Sequence, residues 1–312
     1  MPHSKKKTSN RPGDLSRFQP PLYVVIFGIL FGTTISMAKL ASAYGISPIY
    51  LVFWQMLGAG LLLALTAYLK GQPLRLKTRH LRYYFIAGLL GNALPTTLAF
   101  MAAVEIGTAL TGLVYPLSPV VTYGLAILIG LDKRQTGKIL GMLCGFLGAA
   151  IILLPPIFAA GLLGLDYLSP LWLAIAFAIP VLLGFGNIYR TADWPPDTGS
   201  LPLAAGMLLA TSLLLFPILI LIGDFQFPDL RFSAPTLVIG GNIILSFIGF
   251  IFYFELQRMS GPVYFSQISY FITITTMGFG YFFFEEPFEW YILSGATLIF
   301  GGLYLVSRSG DE

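Results

Sequence analysis

Residues 132–148 read DKRQTGKILGMLCGFLG, and residues 286–302 read EPFEWYILSGATLIFGG. In each stretch an acid (Asp132, Glu286) is followed nine residues later by a glycine (Gly141, Gly295). Seven residues further comes a second glycine (Gly148, Gly302). The two copies stand 154 residues apart. The same offset carries Gly107 onto Gly261, Thr122 onto Thr276, Gly124 onto Gly278, Phe31-Gly32 onto Phe185-Gly186 and Pro48 onto Pro202. Gly91-Asn92 meets Gly241-Asn242 at an offset of 150. One unit is written twice along the chain.

What surrounds these stretches is apolar. Of the 312 residues, 56% are hydrophobic and 10% charged, against roughly 25% charged in a soluble domain. A water-facing surface cannot be built from so few charges, so the solvent is mostly lipid. Apolar runs fall near 21–40, 47–69, 82–103, 107–130, 137–156, 170–189, 201–222, 234–255, 261–283 and 289–307. Each is about 20 residues, long enough to cross a ~30 Å hydrocarbon core. Several open with proline in the first turn, as in Ser47-Pro48, Ser169-Pro170 and Ser233-Ala234-Pro235. Proline is favoured there because its missing N–H would have no intrahelical partner. The expected fold is an all-α integral membrane protein of ten transmembrane helices in two five-helix repeats. Residues 1–19 read as a basic disordered tail, 20–156 as the first repeat, 170–307 as the second and 308–312 as a short C-terminal tail.

Five is odd, so the second repeat enters the membrane from the side opposite to the first. Such inverted repeats are typical of secondary transporters, with the substrate site near the midplane between the halves. Charge gives the orientation. With a cytoplasmic N-terminus, 16 of the 18 Lys and Arg residues fall in inside segments, leaving Arg231 outside and Lys39 near the outer end of span 1. That bias follows the positive-inside rule, places both termini in the cytoplasm, and explains the net charge of +4 without a nucleic-acid partner. Ala41-Ser42-Ala43 after span 1 mimics a signal-peptidase site, but the apolar run is too long for a signal h-region.

The chemistry excluded is equally clear. Cys144 is the lone cysteine, and neither HExxH, CxxC, GxxxxGK[ST] nor GxSxG occurs, so no metal, cofactor or ATP site is expected. An intramembrane enzyme would need clustered acids, His or Ser/Lys pairs at depth, and none stands out.

The doubled acid-glycine-glycine pattern, with Glu286-Pro287, Gly295-Ala296, Gly302 and Tyr304-Leu305 in the second copy and Lys39 ending the first helix, resembles the drug/metabolite transporter superfamily, EamA type. The likeness covers roughly residues 20–307. It departs at Leu131-Asp132, where the family usually has Gly-Glu, and at Trp54-Gln55, where an arginine is common. The resemblance implies a central cavity lined by helices 1, 3, 4, 6, 8 and 9, with helices 5 and 10 at the periphery. It also implies a bacterial inner membrane, a small-molecule substrate, and solutes ranging from amino acids and drugs to nucleotide sugars.

Polar side chains within lipid spans need partners, so they face the bundle or a wet cavity. The substrate-cavity candidates are Lys39, Asn92, Thr96, Tyr115, Ser118, Asn187, Asn242, Ser246, Tyr253, Gln267 and Tyr270. The competing role for each is an interhelical hydrogen bond worth ~0.6 kcal/mol, and for Lys39 snorkelling to the interface. Arg190 and Arg258, near the inner surface, read as interfacial anchors. Asp132 and Glu286 read as structural turn acids at the starts of helices 5 and 10, where the helix dipole favours them. Gly137, Gly141, Gly145 and Gly148 form a ladder that packs helix 5 within the bundle or, alternatively, seams a homodimer. The function expected is a secondary transporter or exporter of small organic metabolites, amino-acid-like compounds or drugs. Transport of phosphorylated metabolites or nucleotide sugars is the alternative, and a non-transporting scaffold or receptor is the rival from another class.

Overall fold

The computed structural model describes residues 15–159, 170–228, 231–284 and 290–309. Among them the chain is helical throughout, in twelve α-helices and one π turn: α1 (Leu15–Ser42), α2 (Pro48–Leu69), α3 (Thr78–Gly88), the π turn (Leu89–Ala93), α4 (Leu94–Glu105), α5 (Thr108–Leu113), α6 (Leu117–Leu128), α7 (Thr136–Ala159), α8 (Pro170–Ala192), α9 (Ser200–Leu221), α10 (Ala234–Phe265), α11 (Ile268–Phe284) and α12 (Trp290–Arg308). Six helices are long and apolar enough to cross a membrane, and four shorter apolar helices complete ten spans among the described residues. Span 3 is α3, the π turn and α4 in series. Span 4 is α5 and α6, broken at Pro116. Helix α1 begins at Leu15, within the stretch 1–19 expected as a tail. Residues 1–14 lie outside the described residues, as do Glu286 and its turn.

Helix packing carries a pseudo-two-fold. The helices α2 and α9, spans 2 and 7, pack on each other, and so do α7 and α12, spans 5 and 10. Span 1 packs on α10 and α11, and its counterpart α8 packs on α4 and α6. Side chains at the helix ends fix the directions. At the end rich in Lys and Arg, Arg82 at the start of α3 meets Asp193 just after α8 at 3.0 Å. There too, Ser200 at the start of α9 bonds Glu255, late in α10, at 2.7 Å. At the opposite end, Ser47 before α2 bonds Asp224 after α9, and Lys39 at the end of α1 lies 4.5 Å from the ring of Phe284, the last residue of α11. Span 6 therefore runs opposite to span 1, as an inverted repeat requires.

Two of the repeated glycines have a conformational reason. Gly107 opens span 4 with φ 88 and ψ 161, and Gly261, its counterpart, opens span 9 with φ 73 and ψ 176. This region of backbone space is essentially glycine-only. It lets each chain reverse direction with almost no loop. Gly261→Ala, or Gly107→Ala, is expected to cost about 2 kcal/mol, measured as a fall in the unfolding midpoint of the detergent-purified protein.

The glycine ladder of α7 is spent inside the molecule. A Cβ at Gly141 would lie 2.6 Å from the Gly302 carbonyl oxygen on α12, and one at Gly145 would overlap the Tyr270 hydroxyl on α11. Helices α7 and α12 touch backbone to backbone because neither carries a side chain at the crossing. Asp132 sits in the turn before α7, accepting from Lys138 Nζ at 2.8 and 2.9 Å and from the Lys133 backbone N–H.

Candidate functional site

Between the two halves lies a narrow cavity, partly open to its surroundings. Its wall comes from Phe27 and Phe31 of α1, Gly91 and Asn92 of the π turn, Pro95 and Thr96 of α4, Tyr115 and Ser118 around the break in span 4, Leu183 and Asn187 of α8, Phe250, Tyr253 and Phe265 of α10, and Ser266, Ile268, Ser269 and Ile272 around the start of α11. These are spans 1, 3, 4, 6, 8 and 9, three from each half. The local breaks in helix regularity lie on this wall. The π turn brings Gly91 and Asn92 to it, and π turns recur at functional sites.

Six of the eleven candidates stand on the wall: Asn92, Thr96, Tyr115, Ser118, Asn187 and Tyr253. Asn92 accepts from the Thr96 hydroxyl at 2.9 Å and directs its amide toward Met56 and Thr211. The other five are placed elsewhere. Lys39 lies at the end of α1 over Phe284. Ser246 accepts from Gln55 of α2 at 2.6 Å, and Asn242, one turn before it, donates to the Val238 carbonyl at 3.0 Å. Gln267 is fully buried off the cavity wall, and Tyr270 packs on Gly145. Of these four, Ser246 ties α10 to α2, while Asn242 and Gln267 donate to carbonyls one turn back and, with Tyr270, keep a buried oxygen without a partner.

The reading of Arg190 as an interfacial anchor is corrected by its burial: the side chain is 0% exposed. Its Nε donates to Gln257 Oε1 at 2.8 Å. Its Nη2 donates to Asn187 Oδ1 at 2.6 Å and to the Tyr253 hydroxyl at 2.5 Å. The guanidinium carbon lies 5.0 Å from the Tyr253 ring centre and 5.6 Å from that of Phe265. Gln257 is itself fixed by bonds from Nε2 to the Asn187 carbonyl at 3.0 Å and the Thr191 hydroxyl at 3.1 Å. The sequence held a signal for this cluster: Asn187 and Arg190 are three residues apart, Tyr253 and Gln257 four, so each pair shares a helix face. Arg258, by contrast, is half-exposed and paired with Glu255, as an anchor would be.

Magnitudes show how the cation is tolerated. An arginine deep in a membrane helix costs ~2.5–3.5 kcal/mol on insertion scales. Hydrogen bonds to a charged group return ~1.5–3 kcal/mol each, and a desolvated cation–π contact ~2 kcal/mol. Three bonds and two rings hold it. One nitrogen is left over: Nη1 has no partner. No carboxylate pairs with Arg190 among the described residues.

Toward the basic end a layer of Tyr83, Tyr189 and Asp193 lies beyond Arg190. Tyr83 donates to the Arg190 carbonyl at 3.4 Å and stacks on Tyr189 at 6.0 Å between ring centres. Below them Asp193 joins Arg82 and the Tyr189 hydroxyl. The polar groups on the described wall are hydroxyls and amides, which can bind and orient a solute.

A ten-span bundle of two inverted halves around an interfacial cavity is the architecture of a membrane transporter of small molecules. The chain belongs to the EamA-like transporter family, whose model matches twice, over residues 20–154 and 171–308. The two matches divide the chain where the glycine offset divides it. A solved structure described only as "Crystal structure of protein" shares the fold, with a TM-score of 0.65 and 18% identity over 93% of this chain and 99% of that one. No curated protein matches the chain.

Proposed function

We propose that the protein is a secondary transporter that moves small organic solutes with a polar head and an apolar body, amino-acid-like or amphipathic compounds, by alternating access. The observation that carries this reading is the cavity at the interface of the inverted halves, with three spans from each and a wall that is mostly aromatic and aliphatic around a few hydrogen-bonding groups. Exchange of conformation between two pseudo-equivalent halves would open such a site to each side in turn. The charge bias supports cytoplasmic termini, and the resemblance to the family supports a bacterial inner membrane. The layer of Tyr83, Tyr189 and Asp193 would then lie at the inner end of the site. Because α12 and α11 cover the glycine face of α7, a monomer suffices as the working unit. Phosphorylated or nucleotide-linked sugars fit less well, since they carry several negative charges and a single buried cation adjoins the cavity.

The test is uptake of labelled aromatic and aliphatic amino acids and their deaminated analogues into liposomes holding the purified protein, paired with thermal unfolding in their presence. A solute at 100 times its dissociation constant should stabilise the protein by about 2.7 kcal/mol and should cross the bilayer down its gradient. A ligand that stabilises without crossing would favour a receptor. No movement of any solute under any gradient would sink the transport reading.

A further inference from the structure

We infer that Arg190 is the anion-binding residue of this cavity and that the substrate is an organic monocarboxylate with an aromatic or aliphatic body. The inference deepens the transport reading and rests on it for the word substrate. Arg190 is fully buried and carries a permanent charge, yet its polar partners, Asn187, Tyr253 and Gln257, are all neutral. Neutral groups and rings soften a buried charge without neutralising it. The unpartnered Nη1 lies against Gly91, so close that any side chain at that position would overlap it. Gly91, Asn187, Tyr253 and Phe265 all belong to the cavity wall. The guanidinium is thus the layer directly beneath the wall, held on two nitrogens, with the third buried behind Gly91 and without a partner.

The architecture of the fold does not ask for this charge. The position 154 residues earlier is Ser36, which bonds its own helix at the Gly32 carbonyl. The cation breaks the symmetry of the two halves at the place where a polar head would be seated. The Tyr253 hydroxyl accepts from Nη2 and keeps its own proton to donate to the same anion. One unpartnered guanidinium nitrogen, reached where the wall gives at Gly91, and one hydroxyl suit a carboxylate. A phosphate would bring a further charge and more oxygens than these donors meet. The remainder of the wall, Phe27, Phe31, Leu183, Phe250 and Ile272, takes an apolar body.

The experiment measures binding to the full-length protein in detergent with four probes: phenylacetate, its neutral isostere phenylacetamide, the amine 2-phenylethylamine, and inorganic phosphate. Phenylacetate is expected to bind at least about tenfold more tightly than phenylacetamide, with the amine and phosphate weaker still. In Arg190→Met the carboxylate-to-amide ratio should collapse toward one. In Tyr253→Phe, which keeps the ring over the guanidinium, it should fall partway, and this variant reads the ratio even if the first does not fold. Equal binding of acid and amide in the wild type would overturn the inference. So would a ratio that survives in Arg190→Met, tighter binding of phosphate, or no phenylacetate binding at millimolar concentration. Liposome uptake separates the two readings: transport of neutral or cationic solutes that Arg190→Met leaves intact removes this inference alone. Carboxylate binding without transport removes the transport reading alone.

Discussion

Gly186→Leu is expected to destabilise the protein by about 3 kcal/mol and to abolish transport. The crossing of α8 over the π turn is built from two glycines. A Cβ at Gly186 would stand 2.5 Å from the Gly91 Cα, 2.9 Å from its nitrogen and 3.1 Å from the Leu90 carbonyl carbon. All three are backbone atoms, so no rotamer change relieves the overlap and the helices must part. Overpacking of this kind costs typically 1–3 kcal/mol and occasionally more, and it outweighs the ~0.8 kcal/mol that replacing a helical glycine returns. Parting α8 from the π turn would also move Asn187 and Arg190 away from Gly91, which is why transport should go with stability. Gly240→Ala is the control. Nothing lies within 4 Å of a Cβ there, so adding a methyl group in α10 should be neutral or gain up to about 1 kcal/mol. Unfolding midpoints of the detergent-purified variants give both numbers. A Gly186→Leu protein as stable as Gly240→Ala would mean that the close approach of α8 to span 3 does not exist in solution.

The spans were legible in the sequence because their cause is local. Apolar runs of membrane length, opened by Ser47-Pro48 or Ser233-Ala234-Pro235, leave little freedom about where a helix starts. The observed starts, Pro48 and Ala234, fall within a residue of the expected ones. The glycine offset was legible for the same reason, since Gly107 and Gly261 answer to backbone geometry that no other residue tolerates. What was not legible depends on which face of a helix a side chain takes. Asn242, Gln267 and Tyr270 are as polar as Asn92 and Asn187, and they are as deeply buried, but they lie off the cavity wall. The aromatic wall of Phe27, Phe31, Phe250 and Phe265 could not be told from lipid-facing residues such as Phe282 and Phe283, which are 77% and 70% exposed. Arg190 was misplaced because its distance along the chain from the end of span 6 was weighed and its face was not. It lies one turn from Asn187 and turns inward with it. The π turn over Leu89–Ala93 has no sequence signature beyond Gly91 itself.

Gln257→Leu should be the costliest change among the partners of Arg190, and adding Arg190→Met to it should recover part of the loss. Gln257 accepts the Nε bond of the guanidinium while its own amide holds the Asn187 carbonyl and the Thr191 hydroxyl. Removing it leaves the guanidinium Nε without an acceptor, at ~1.5–3 kcal/mol for a hydrogen bond to a charged group, and frees the two bonds its amide makes to α8. Arg190→Met alone is also costly, because it leaves the Gln257 and Asn187 oxygens without a donor, at ~1–3 kcal/mol for each group orphaned. The double variant replaces cation and acceptor together with apolar side chains of similar size. It should therefore be more stable than Gln257→Leu by at least about 1 kcal/mol, with a coupling in the ~1–3 kcal/mol range seen for residues in one buried network. A double-mutant cycle on chemical unfolding in mixed micelles measures this. Additivity within about 0.5 kcal/mol would make Gln257 a tie between α8 and α10 that is indifferent to the charge, with the guanidinium held by the Tyr253 and Phe265 rings. Strong coupling together with a more stable double variant would mean that the fold carries Arg190 at a cost to itself. A residue kept on those terms is kept for what it binds.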